Sequence, residues 1–322
     1  MPEADGPAGQ RGGAAASIAL VVNPSAAKGR AQSLLPQVAG RLRDSGHRVE
    51  IALSRSRDEA AELVAQAVGS GVDVLAVMGG DGMAHLGLNA VAEHTAAHPD
   101  GPPVALGLVP AGTGNDLARS LGLDPDDTAA AADALATGAT RPLDLLDVSS
   151  AGPSQDSPDR WVGSVLATGF DALVNARANR MRRPRGAARY TVAALAELRT
   201  FRPLTCSLVV DGVRRDLDAM LVAVGNTSTY GGGLRICPAA DPYDGWLDVT
   251  VIHPVGRAKL LQLLPQMRTG RFASDPCVEQ LRARTVSVSR AAGPVYGDGE
   301  DLGTTPVTAT TVPGAIRVCL PA

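Results

Sequence analysis

The chain lacks any apolar run approaching the ~18–20 residues that a membrane-spanning helix needs, so a helical span is excluded and any membrane contact is expected to be peripheral. Cysteine is scarce. Cys206, Cys237, Cys277 and Cys319 lie far apart with no CxxC pair. That supports neither a zinc knuckle nor a disulfide framework and reads as reduced, mostly buried thiols of a cytosolic protein. A basic excess is also missing: the net charge is −3, which argues against a nucleic-acid binder. The chain contains no GxxxxGK[ST] phosphate loop, no GxSxG elbow and no HRD/DFG pair, and GTGNDL lacks the third glycine of a dinucleotide loop. His94 and His98 sit four apart without a third ligand and are expected to be surface histidines, not a metal site. The opening MPEADGPAGQRGGAAAS is small, polar and breaker-rich, so residues 1–16 are expected to form a disordered tail.

At 322 residues the chain suits two domains. From Ile18 to Val148 apolar runs (Ile18–Val22, Val49–Leu53, Val72–Met78, Val104–Val109) alternate with helical stretches near Ala31–Asp44, Arg57–Val68 and Met83–Glu93. This alternation predicts βαβ units around a parallel sheet, whose ligands bind beyond the carboxyl ends of the strands. Three turns would line that rim: Asn23-Pro24 with its small residues, Gly79-Gly80-Asp81-Gly82, and Gly112-Thr113-Gly114-Asn115-Asp116. Glycines let the backbone approach a ligand closely, and amides at a helix start favour phosphate. Asp81 would repel a bare phosphate, so a divalent cation between the two makes better sense of it. Each turn alone reads equally well as an ordinary βα connection; three on one rim, two of them carrying Asp, favour a metal-nucleotide site.

From Trp161 onward short strands dominate (Trp161–Leu166, Thr205–Val210, Ala219–Val224, Leu247–Ile252, Thr285–Ser289, Pro306–Thr310), with few helices between them, predicting a mainly antiparallel domain. The polar Ser149–Pro158 stretch reads as a hairpin loop at its edge. Gly297-Asp298-Gly299-Glu300 is a tight turn whose acids are two apart, so both could face one side; on its own it reads more readily as a solvated hairpin. Asp241-Pro-Tyr-Asp244-Gly-Trp246 reads as a turn before a strand. The run Arg177, Arg180, Arg182, Arg183, Arg185 and Arg189 reads either as a solvated face or as a dock for an anionic membrane surface.

VVNPSAAKGRA, VMGGDGMAHLGLNAV and VPAGTGNDLAR, followed by ATGFDALV, GNTSTYGGGLRICPAADPYDGWLDV and YGDGEDLGTTP, resemble in order and spacing the diacylglycerol kinase catalytic domain family, which includes bacterial lipid kinases and sphingosine kinases. The resemblance covers nearly the whole chain after the tail. It implies transfer of the γ-phosphoryl group of ATP, with Mg²⁺, to a lipid hydroxyl of diacylglycerol type. The implied fold is an N-terminal α/β nucleotide domain resembling phosphofructokinase and NAD kinase (17–142, with about 312–322 returning to it) and a C-terminal mainly antiparallel β-sandwich for the lipid (143–311). It also implies that Ala315–Leu320 is the returning last strand. Asn23, Pro24, Ser54, Gly79, Gly80, Asp81, Gly82, Gly112, Thr113, Gly114 and Asn115 are then expected to bind ATP. Asp298 would be the general base; Glu300 would join Asp81 and Asp116 around the catalytic Mg²⁺, partly through water. Asp241, Asp244 and Trp246 would match a structural Mg²⁺ site of some members.

This sequence departs from the family pattern at Met83, where Thr is usual, at His85-Leu-Gly-Leu88, where an acid is usual, and at Ala27, where Gly is usual. Those changes bear on phosphate hydrogen bonds and leave the acids in place, so an active enzyme is expected, peripherally attached to membrane in the cytoplasm. The alternatives are an NAD kinase-like enzyme, against which the Asn-Pro turn, GTGND and the late DGE weigh, and a catalytically silent nucleotide or lipid sensor, suggested by Met83. The acceptor lipid and the oligomeric state, a homodimer included, stay open.

Overall fold

A computed structural model describes residues 15–151, 160–181, 183, 187–289 and 293–321. Most of the expected tail, the linker from residue 152 to 158, and Arg182 and Arg185 lie outside the described residues. The first half begins with β1 (Ser17–Val22), α1 (Arg30–Asp44), β2 (Arg48–Leu53), α2 (Arg57–Gly69), β3 (Val74–Gly79), α3 (Asp81–Ala97) and β4 (Ala105–Pro110). These strands are parallel in the order β4-β3-β1-β2. β3 and β4 are buried at every position because helices cover both faces, which is why they read as continuous apolar runs. β2 lies at the edge and exposes Leu53. The helix expected from Met83 begins instead at Asp81, since Gly80 takes the extended N-cap conformation. Two short helices, α4 (Asp116–Ser120) and α5 (Thr128–Thr137), complete this half. α5 packs its alanines against the sheet and α1; such a small-residue helix carries little apolar periodicity to announce it.

The second half comprises β5 (Thr140–Ala151), β6 (Trp161–Val162), β7 (Val165–Gly169), α6 (Phe170–Arg180), α7 (Ala187–Leu198), β8 (Leu204–Val210), β9 (Val213–Ala219), β10 (Leu221–Gly225), β11 (Leu247–Ile252), α8 (Arg257–Met267), β12 (Val278–Ala283), β13 (Thr285–Ser289), β14 (Pro294–Gly297) and β15 (Glu300–Cys319). Its strands pair antiparallel. Two layers, one with β7, β10 and β11 and one with β8 and β13, enclose a core of Leu166, Val222, Val249, Leu208 and Val288. The expectation of few helices understates this half, which holds α6, α7 and α8 packed outside the sheet. The single strand expected over Trp161–Leu166 is broken at Gly163-Ser164, and that break positions the site.

β15 ties the halves together. Its early part pairs with β14, its middle with β13 and β5, and its end lies parallel to β4, with Arg317 opposite Ala105. Asp144 of β5 secures the crossing: its carboxylate accepts the Gly314 and Gly245 amides, both at 2.7 Å.

Candidate active site

The first rim turn is built on Asn23, whose amide donates to Met78 and whose Oδ1 accepts from the Ser25 amide and hydroxyl. Asn23 stands beside Gly79, and Pro24 follows at the surface of the same turn. Ser54 is buried, and its hydroxyl donates to the Val22 carbonyl at 3.2 Å, fastening the end of β2 to β1. The turns at Gly79–Gly82 and Gly112–Asp116 are stitched by the Ala111 amide on the Gly79 carbonyl at 2.7 Å and touch where Gly80 meets Gly112. A Cβ on Gly112 would overlap Gly80, so this approach is open only to glycine. Asn115 takes a left-handed conformation, and its amide side chain clips Gly112 through both N–H and C=O. Thr113 is exposed at the rim.

Asp81 is the hinge of these turns. Its oxygens accept the Asn115 amide at 2.9 Å and the Asp116 amide at 2.6 Å. Burial first, then the negative charge of Asp116, push its carboxyl up to about 6 despite those two amides. Asp116 is also raised by burial, against two amides of its own, from Gly232 at 2.7 Å and Gly233 at 2.8 Å. Two neighbouring carboxylates, both raised by burial and one by the charge of the other, suit a cation. Among the described residues no group of three or more His, Cys, Asp or Glu could hold a metal alone. A Mg²⁺ ion fits such a pair, because it takes one or two carboxylates and completes its shell with water and phosphate oxygens.

The second half brings Asp298 and Glu300 to the same cleft, Asp298 being close enough to raise both Asp81 and Asp116. Asp298 is not the solvated hairpin residue that its dipeptide suggests. Oδ1 accepts the Ser164 amide at 2.8 Å and, closely, its hydroxyl; Oδ2 accepts the Gly163 amide at 2.9 Å and His85 Nδ1 at 3.2 Å. Burial alone would raise its pKa, but His85, Ser164 and Gly163 together hold it below the usual carboxylate value. A carboxylate has about four lone-pair directions, and these donors fill them. Those donors hold Asp298 as an acceptor at the cleft, and an alcohol reaches it by sharing or displacing one of them. Glu300 is different: its side chain is 28% exposed, Oε1 pairs with Arg57 at 2.9 Å, and it lies across from Gly82.

The sequence did not flag His85, Ser164, Arg57 or the Gly231–Gly233 loop as site residues. His85 is fully buried. Asn89 accepts the Trp161 amide and gives its NH₂ to the carbonyls of Trp161 and His85 at 2.9 and 3.0 Å, which fixes this turn of the helix; His85 Nδ1 carries the proton toward Asp298, because an ionised carboxylate only accepts. Met83 points into the core over Gly79 and takes no part in the rim, so the hydroxyl usual there has no counterpart. At Asp241, Asp244 and Trp246, where the resemblance implies a structural Mg²⁺, the carboxylates have protein partners in this structure. Asp244 gives one oxygen to the Trp246 amide at 3.0 Å and the other to the Arg282 guanidinium, and Asp241 caps Tyr243.

At Asp301, the residue after Glu300, opens a cavity of about 820 Å³ between α6, α7 and β14–β15, lined by Leu173, Ala176, Met181, Pro294 and Tyr296, with Arg177, Arg180 and Glu197 at its polar side. α7 exposes Tyr190, Val192 and Leu195. No helix among the described residues is long and apolar enough to cross a membrane.

Comparison with known proteins agrees with this architecture. Residues 17–148 match the family described as the Diacylglycerol kinase catalytic domain, and residues 164–320 match the YegS C-terminal NAD kinase beta sandwich-like domain. A protein of Mycobacterium tuberculosis named "Diacylglycerol kinase" is 40% identical over 307 residues, spanning 94% of this chain and 95% of that one. One from Stenotrophomonas maltophilia, named "Probable lipid kinase YegS-like", is 30% identical over 298 residues, spanning 89% and 92%. The crystal structure of a diacylglycerol kinase from Bacillus anthracis superposes with a TM-score of 0.71 at 19% identity, covering 95% of this chain and 97% of that chain, a likeness of fold. With the rim turns, the facing acids and these matches together, the chain belongs to the diacylglycerol kinase family of lipid kinases.

Proposed function

We propose that this kinase transfers the γ-phosphoryl group of ATP to the hydroxyl of a diacylglycerol-like lipid. The observation that carries the reading is the facing set of acids: Asp81 and Asp116, both raised by burial and both by the nearby Asp298 charge, with Glu300 opposite and partly open. The exposed Thr113 and the amides of Gly79–Gly82 and Thr113–Gly114 receive phosphate oxygens. Asp81 and Asp116 would hold Mg²⁺, which when bound would offset the phosphate charge. An alcohol is a poor nucleophile, so a carboxylate must accept its proton as the phosphoryl group arrives. Glu300 takes that proton through the oxygen not engaged by Arg57, while Asp298 anchors the turn that presents it. The acyl body of the acceptor enters the cavity beside Asp301, and the exposed α7 side chains with Arg177, Arg180 and Arg183 rest on an anionic bilayer surface.

The test is transfer of label from γ-labelled ATP and Mg²⁺ to micelles of diacylglycerol, a sphingoid base or phosphatidylglycerol, with NAD as a control acceptor. Label on diacylglycerol is expected. Label on NAD with none on lipid would overturn the reading, and ATP binding without transfer to any acceptor would mark a silent sensor. Glu300→Gln should lower transfer at least about 100-fold, the scale of positioned acid–base catalysis, while retaining ATP binding.

A further inference from the structure

Asp171 lies in the first turn of α6, and both of its oxygens are buried without a well-formed hydrogen bond. The hydroxyl of Tyr230 stands beside it, and the thiol of Cys237 is the other titratable neighbour that feels its charge. From Tyr230 the chain runs through Gly231, Gly232 and Gly233, all with positive φ (59°, 83° and 95°), a path that side-chain-bearing residues rarely follow. Tyr230 and Leu234 close this loop by exchanging backbone hydrogen bonds of 3.0 and 2.9 Å. In this turn the amides of Gly232 and Gly233 point to one side and hold an anion. The anion here is Asp116 of the other half, held by the Gly232 and Gly233 amides. The Asp116 amide in turn holds Asp81.

We infer that Asp171 is a positioning residue for the Asp81–Asp116 pair: in its neutral form it fixes Tyr230, and through Tyr230 the glycine loop that grips Asp116 across the boundary between the halves. The inference rests on the proposed role of that pair. A neutral carboxyl both donates and accepts, so it can satisfy the Tyr230 hydroxyl without burying a charge. Burial pushes Asp171 up to about 7, so the neutral form is accessible near neutral pH. Ionisation places an unpaired charge against Tyr230 and Cys237 and loosens the loop.

The first readout needs neither metal nor ATP: hydrogen exchange of the 228–236 segment in the free protein, expressed as protection relative to intrinsic exchange at pH 6 and pH 8. The wild type should lose at least about tenfold protection between these pH values, Asp171→Asn should not, and Tyr230→Phe should be unprotected at both while the sheet core stays protected. In transfer assays at fixed lipid, Tyr230→Phe should raise the Mg²⁺ concentration for half-maximal rate about tenfold and leave the KM for lipid unchanged. Asp171→Asn should keep the wild-type rate at pH 6.5 and lack the decline above about pH 7. Equal protection of the segment in wild type and Tyr230→Phe overturns the inference, as does an Asp171→Asn enzyme with the wild-type decline. Loss of loop protection with no change in Mg²⁺ dependence would uphold the Asp171–Tyr230 link and sink the role given to Asp116.

Discussion

Met83 closes over Gly79, where a Cβ on the glycine would come within 2.5 Å of its Cγ, and its side chain is 5% exposed in the core beneath the rim. The residue that looked like a weakened phosphate contact is a packing residue. Met83→Thr should therefore not restore a contact; it removes buried volume and buries a hydroxyl, costing about 2–4 kcal/mol in urea unfolding with no gain in kcat. Unchanged stability with a faster enzyme would defeat this account. Asp171 has a pH signature of its own. Its folded-state value near 7 lies above the usual 3.8, so the folded form keeps its proton longer. Its contribution to stability is full below about pH 4 and is lost as pH rises through about 7. Asp171→Asn should flatten that part of the stability–pH curve, measured by urea midpoints across the window.

Among elements, α6 and α7 were the least legible. Leu173, Ala176 and Met181 line a cavity instead of a close-packed core, so their spacing carries no clear helical stripe, and the basic run masked the helix beneath it. That looseness is where the acceptor is proposed to sit. Ala176→Trp should fill the cavity and raise the KM for long-chain diacylglycerol at least about tenfold, leaving the KM for ATP within about twofold; equal rises in both would remove the cavity from acceptor binding. The βα elements were legible nearly to the residue, because buried parallel strands and breaker-rich turns each sign themselves locally. GGDG and GTGND could be read as phosphate turns for the same reason. The break at Gly163-Ser164 could not, since it interrupts an apolar run with residues that a strand also tolerates, and its purpose is a carboxylate more than 130 residues away.

For the whole molecule, β5 and β15 run through both halves, and Asp144 pins the chain where they cross. The two halves should unfold together. Circular dichroism and tryptophan fluorescence, with Trp161 buried against α3 and Trp246 in the β half, should give coincident urea transitions; two separated transitions would show that the strands do not couple them. The sequence by itself determined the α/β start, the three rim turns and the presence of acids in them, because strand burial, glycine turns and helix starts are set by neighbours in the chain. Only the tertiary structure decided what surrounds each acid. Whether a carboxylate is free, charged or saturated depends on donors from distant segments: His85 and Ser164 fill Asp298, Arg282 fills Asp244, and Gly232 and Gly233 grip Asp116. Those partners are fixed by the path of β15 and the packing of two sheets, which no local pattern encodes.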